Sequence, residues 1–365
     1  MTSEFPAYHE LDITKYQLIA GVYTLGLIDK HRPDIEIIHP EMWPPPEVYN
    51  LDYSWLDKKI VSALDRGKTV CLFIWDEDIS FISSFIECVV KYQSDPVYVI
   101  TQLDDFCMLR YRDQGIQNII EIPWWLLNDC LCYYQVCNKN LLIDKFDPDY
   151  NFLCMIGRSQ YHKIELIKEL GYAGLHQFGR ITVMSSMIDA DIQNFCQPSD
   201  LPPWPNINHP LGKTRANSII GGIHVSGCVE NFLQIEKHLS HIPLIINPES
   251  SCGTFLTTEK SLWPLLLGRL CLISGRWRIM RYIQRFYDID FSSYINLEFD
   301  EIHGWTDDYH QNRVHTMISH NKDLVKDSKD IYKTLQYDLE QARWTIGKNM
   351  YEFFVQQLFK IPKIN

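Results

Sequence analysis

Six short, predominantly apolar runs constrain this chain most: Ile35–Ile38, Thr69–Trp75, Val97–Ile100, Phe152–Ile156, Leu244–Ile246 and Leu270–Ile273. Each is too short for a buried helix, and most give way to polar residues and then to a stretch with helical spacing. Ile116–Ile122 contains a further strand. Helical spacing is read at Trp55–Leu64, at Ile79–Tyr92, at His162–Leu170 with Gly171 as its stop, and at Leu262–Leu267 ended by Gly268. Strands that alternate with helices predict parallel sheets covered by helices on both faces. Such sheets take ligands beyond the carboxyl ends of their strands. The fold class expected is therefore α/β.

A chain of 365 residues with 46% hydrophobic and 13% aromatic residues has room for two domains with substantial cores. A polar passage with a proline at 138–150 marks the boundary, giving a first domain over 1–145 and a second over 146–310. Residues 311–365 read as helical almost throughout. The net charge of −12 is uneven. Residues 1–150 carry 12 Lys and Arg against 24 Asp and Glu, and the remainder carries 22 of each. An acidic first domain disfavours general polyanion binding there. The eleven cysteines are scattered without paired C-x-x-C spacing, so no zinc site is expected and a reducing cytoplasm is the natural setting. No run of about 18 apolar residues suits a membrane span, and the start Met-Thr-Ser-Glu-Phe-Pro has no secretory pattern.

Residues suited to chemistry stand at the expected strand ends. Thr257-Thr258-Glu259-Lys260 precede a helix, where free N–H groups and the helix dipole favour an anion. Lys260 suits phosphate, and Glu259 can accept hydrogen bonds from sugar hydroxyls. Glu249 lies in the polar loop before them. After Phe152–Ile156 come Gly157 and Arg158, then His162 and Lys163. In the first domain Asp76, Glu77 and Asp78 follow the Thr69–Trp75 run, and Glu41 follows Ile35–Ile38. The acidic trio also suits a solvated helix start. Arg278, Arg281 and Arg285, with Arg276 nearby, share one face of an expected helix and could hold a phosphate backbone.

The segment Phe255, Thr258, Glu259, Lys260, then a helix, Gly268 and a strand through Leu272 resembles the donor-binding segment of nucleotide-sugar glycosyltransferases, in particular the alpha-1,3-fucosyltransferase type and related phage and bacterial proteins. The strand–Gly-Arg–helix unit around Arg158 is similar to the opening of the same domain. The likeness covers roughly residues 151–320. It departs at Arg269-Leu-Cys271, where a proline usually follows the glycine, and at Lys163, where an arginine is common. The resemblance implies two Rossmann-like domains of the GT-B type, with C-terminal helices crossing back to brace the first. It implies a nucleoside-diphosphate sugar as donor, held by Arg158, Lys163, Glu249, Thr258, Glu259 and Lys260. No Asp-x-Asp motif ends a strand of that domain, so neither a metal nor any other cofactor is expected. Asp76, Glu77 and Glu41 remain open as the general base. The phage relatives allow a hydroxymethylated DNA base as acceptor, bound through Arg278, Arg281 and Arg285, and the host cytoplasm as the setting. A glycan or small-molecule acceptor, or a non-enzymatic binding protein on the same fold, fits as well. A nucleotide-dependent phosphotransferase is disfavoured because no Walker-type glycine loop is present.

Overall fold

The apolar runs form two parallel sheets. The computed structural model describes residues 22–38, 54–73, 83–101, 111–136, 141–156, 160–183, 191–198, 218–220, 223–225, 236, 239–249, 259–275, 277–303 and 307–363. In the first sheet β1 (Ile35–Ile38), β2 (Thr69–Phe73), β3 (Val97–Thr101) and β4 (Ile119–Glu121) lie side by side in chain order, all parallel. Successive residues of β2 face opposite ways. Val70 and Leu72 join a core with Leu56, Ile60 and Ala63 of α2 (Ser54–Asp65) and with Phe85 and Val89 of α3 (Ser83–Val90). Cys71 and Phe73 join a larger core on the other face, shared with α1 (Val22–His31) and the second sheet. Both faces of β2 are therefore covered, which is why its sequence shows no polar alternation.

The second sheet has the order β11-β10-β5-β6-β7, again parallel. Its strands are β5 (Phe152–Ile156), β6 (Gly179–Val183), β7 (Gln197–Pro198), β10 (Leu244–Pro248) and β11 (Leu270–Ser274). Between β7 and β10 in the chain, β8 (Ser218–Ile220) and β9 (Ile223–Val225) pair antiparallel. From the central β5 the chain moves one way through β6 to β7, then returns to add β10 and β11 on the other side. The direction reverses between β5 and β10, and the crevice beyond the carboxyl ends of these two strands is the switch point of the sheet.

Several details differ from the sequence reading, which names no strand at β6, β7, β8 or β9. β10 runs on through Asn247 and Pro248, where a loop is expected. The helix α5 (Tyr161–Tyr172) passes through Gly171 and stops at Ala173-Gly174, with Gly174 at φ 68° in the left-handed region that a non-glycine residue rarely adopts. A helix not foreseen, α4 (Trp124–Val136), carries one charged residue, Asp129, and is buried almost all round. It packs against α1, β9, α6 (Glu259–Leu266) and α9 (Lys322–Phe359), and so joins the two sheets.

At the C-terminus α8 (Asp307–His320) leads into α9, which spans 38 residues and kinks at Asp327. Tyr134 of α4 donates to the Arg343 carbonyl and accepts from the Gly347 amide at 3.1 Å. At the far end, the buried Arg32 donates to the carbonyls of Leu358 at 3.0 Å, Ile361 at 2.7 Å and Pro362 at 3.2 Å, while Asp34 accepts from its Nε and Nη2. The protein is thus α/β with two parallel sheets and flanking helices, compatible with a two-domain Rossmann-like arrangement. Among the described residues no helix is long and apolar enough to cross a membrane.

Candidate functional site at the carboxyl ends of β5 and β10

Glu249 follows β10 directly and is fully buried. Its amide donates to the Ser274 carbonyl at the end of β11 at 2.7 Å, which carries the sheet pairing one residue further. Its carboxylate accepts from Ser261 Oγ in the first turn of α6. Its carbonyl accepts from His162 Nε2 in the first turn of α5 at 3.0 Å. One residue therefore ties together the ends of β10 and β11 and the starts of the two helices that follow β5 and β10.

His162 is buried beside Lys163, His310 and Arg313. Burial pulls its pKa down to about 4, so the ring is neutral at neutral pH. With Nε2 donating to Glu249, Nδ1 is left as the acceptor atom. Lys163 is itself buried, and its charge lies close enough to Cys154 of β5 to temper the upward push of burial on that thiol, which still reaches about 12. Lys260, in the first turn of α6, is half-buried and lines a small recess with Met155, Leu239, Ile245, Asn247, Trp263 and Pro264.

The structure therefore brings together Lys163, Glu249 and Lys260 from separate parts of the chain. Glu249 and Lys163 both occupy interior positions. Glu259 opens α6. Arg158, Thr258, Asp76, Glu77 and Glu41 lie outside the described residues. Ser261 and Asn247 escaped the sequence reading. Ser261 follows the Thr-Glu-Lys run by one position, and Asn247 is the only polar residue within β10.

The expected arginine face is different in kind. The helix α7 covers only Ile279–Gln284, and Arg278 and Arg285 flank it. The buried Asp300 sets its start by accepting the amides of Met280 at 3.3 Å and Arg281 at 3.1 Å. Arg278 stands before it in the left-handed region at φ 58° and lies over the Trp277 ring at 4.4 Å. Arg278 and Arg281 both pair with Glu301, at 3.2 and 2.5 Å. Arg285 pairs with Glu121, at the end of β4 in the first sheet, at 2.7 Å. In place of a stripe of three arginines stand two ion-paired groups, Arg278 and Arg281 on Glu301 and Arg285 on Glu121.

Arg269, which stands where the resemblance expects a proline, is an internal staple. Its guanidinium donates to the carbonyls of Leu267 at 2.7 Å, Leu141 at 2.8 Å and Ser240 at 3.2 Å, and to Tyr332 Oη of α9 at 3.2 Å. The seven cysteines among the described residues are all buried thiols. Among those residues no three His, Cys, Asp or Glu side chains converge as a metal-ligand set. No protein family, curated protein or solved structure matches this chain.

Proposed function

We propose that the chain is a glycosyltransferase of the GT-B type that moves a sugar from a nucleoside-diphosphate donor to an acceptor hydroxyl. The observation that carries this reading is Glu249, at the switch point between β5 and β10, tying together the first turns of α5 and α6, the turns that hold Lys163 and Lys260. The resemblance singled out these residues from two separated segments, and an α/β sheet takes its ligand at that crevice. In the reaction the acceptor oxygen bonds to the anomeric carbon as the bond from that carbon to the diphosphate oxygen breaks. The acceptor proton passes to a carboxylate of the first domain, with Asp76, Glu77 and Glu41 as candidates. Negative charge grows on the departing diphosphate, and Lys260 and Arg158 are the cations proposed to meet it.

The ion pairing of Arg278, Arg281 and Arg285 favours a neutral acceptor, a glycan or small molecule, over a DNA backbone. The test is incubation with a panel of nucleotide sugars and with hydroxymethylated DNA, oligosaccharide and small-alcohol acceptors, read by mass spectrometry. A mass gain on one acceptor with one donor is the expected outcome. No transfer from any donor, together with no donor-dependent rise in melting temperature, would overturn the reading. A bound donor at about 100 times its dissociation constant adds roughly 2.7 kcal/mol of stability.

A further inference from the structure

Asn247 sits at 7% exposure near the carboxyl end of β10, and its Nδ2 donor has no hydrogen-bond partner. It lines the recess that Lys260 also lines. The remaining lining, Met155, Leu239, Ile245, Trp263 and Pro264, offers no side-chain hydrogen-bond acceptor except through weak sulfur contact. A buried amide without a partner destabilises the unliganded fold, a cost that a ligand bonded to it would offset. The enclosed space is about that of one oxygen-sized group. An amide donor behind an apolar wall, beside a lysine in the first turn of a helix, fits an anionic oxygen.

We propose that Asn247 Nδ2 and Lys260 form an oxyanion subsite that takes a phosphoryl oxygen of the diphosphate group. This rests on the glycosyltransferase reading only for the source of that group. Asn247 would anchor the diphosphate by a charge-assisted hydrogen bond, and the bond would strengthen as the sugar leaves and charge grows on the oxygen.

The test uses the full chain with two variants, Asn247→Leu and Asn247→Asp, titrated calorimetrically with inorganic pyrophosphate and with nucleoside diphosphates. Asn247→Leu removes an unsatisfied donor at similar volume, so its melting temperature should hold or rise while diphosphate affinity falls about ten- to hundredfold. Asn247→Asp should lose affinity at least as severely, through repulsion. A merely structural asparagine gives the opposite pattern for Asn247→Leu, a lower melting temperature with unchanged affinity, and that overturns the proposal. If either variant fails to fold, the other decides. Sugar transfer with diphosphate affinity unchanged in the variants removes Asn247 and leaves the glycosyltransferase reading standing. Asn247-dependent pyrophosphate binding without transfer from any nucleotide sugar does the reverse. If the wild type binds neither pyrophosphate nor any nucleoside diphosphate, the subsite is refuted outright.

Discussion

At the scale of single residues, the crevice between β5 and β10 is organised by Glu249, and the groups around it divide by exposure. Lys260 is half-buried and lines the recess, so Lys260→Ala should abolish calorimetric binding of a nucleoside diphosphate with no change in melting temperature. Unchanged affinity would remove it from the site. His162 is buried, and its replacement should register in stability. Below pH 6.5 the unfolded chain takes up a proton that the folded ring refuses until about pH 4, because burial disfavours the imidazolium. The unfolded state binds more protons in that window, so stability falls as pH drops from 6.5 to 4, by on the order of 3 kcal/mol at most. Denaturant midpoints of wild type and His162→Gln across that range measure it. The variant should show a shallower decline, and parallel curves would mean the ring is solvated in the folded state.

Among the elements, α4 and α9 decide how the two sheets are held. Gly347 lies inside α9, where replacement by alanine ordinarily stabilises a helix by about 1 kcal/mol. Here the added methyl would stand 2.3 Å from Cε2 of Tyr134, whose hydroxyl bonds both the Gly347 amide and the Arg343 carbonyl. Gly347→Ala should therefore lower stability by about 1–3 kcal/mol, the range for overpacking a core. A denaturant melt giving a more stable variant would show that α4 and α9 are not apposed as described. Arg269 works at the same level. Arg269→Met leaves the Leu141, Leu267 and Ser240 carbonyls without their donor, and a loss of about 3 kcal/mol or more is expected in the same measurement.

For the whole molecule, ties between the first and second sheets set the cooperativity of unfolding. The core is continuous through Trp124, Leu127 and Leu131 of α4 to Leu262 and Leu266 of α6 and Ile346 and Met350 of α9. The Arg285–Glu121 pair adds a polar tie between α7 and β4. Glu121 is almost fully buried and Arg285 is not, so the pair gains less than an interior one and more than a surface one. Arg285→Ala should lower stability by about 1–2 kcal/mol, with a double-mutant cycle against Glu121→Gln recovering most of that as coupling. Zero coupling would show the contact to be incidental. The same result bears on DNA: a loss of DNA binding in this variant counts as a contact effect only if its melting temperature is matched.

The sequence alone determined the seven most apolar strands but not β6 to β9, and it marked several of the helices. Thr69–Phe73 and Leu270–Ser274 are buried along their whole length, and Val97–Thr101 and Phe152–Ile156 nearly so, so their apolar runs stand out with no tertiary information. The polar start of α6 was legible for the same local reason, and it carried Lys260 into the site. The tertiary structure alone decided what lies between elements. That Glu249 reaches Ser261 and His162 depends on β10 lying beside β5, a pairing of strands some ninety residues apart that no local pattern encodes. α4 was illegible because a helix buried all round has no polar face to give it a period. The arginine spacing implied a longer helix because it counts residues, whereas the start of α7 is set by Asp300, a hydrogen-bond acceptor about twenty positions away, and Arg278 falls outside it. Side-chain chemistry can be read residue by residue, but partners are chosen by packing, and packing is a property of the folded chain.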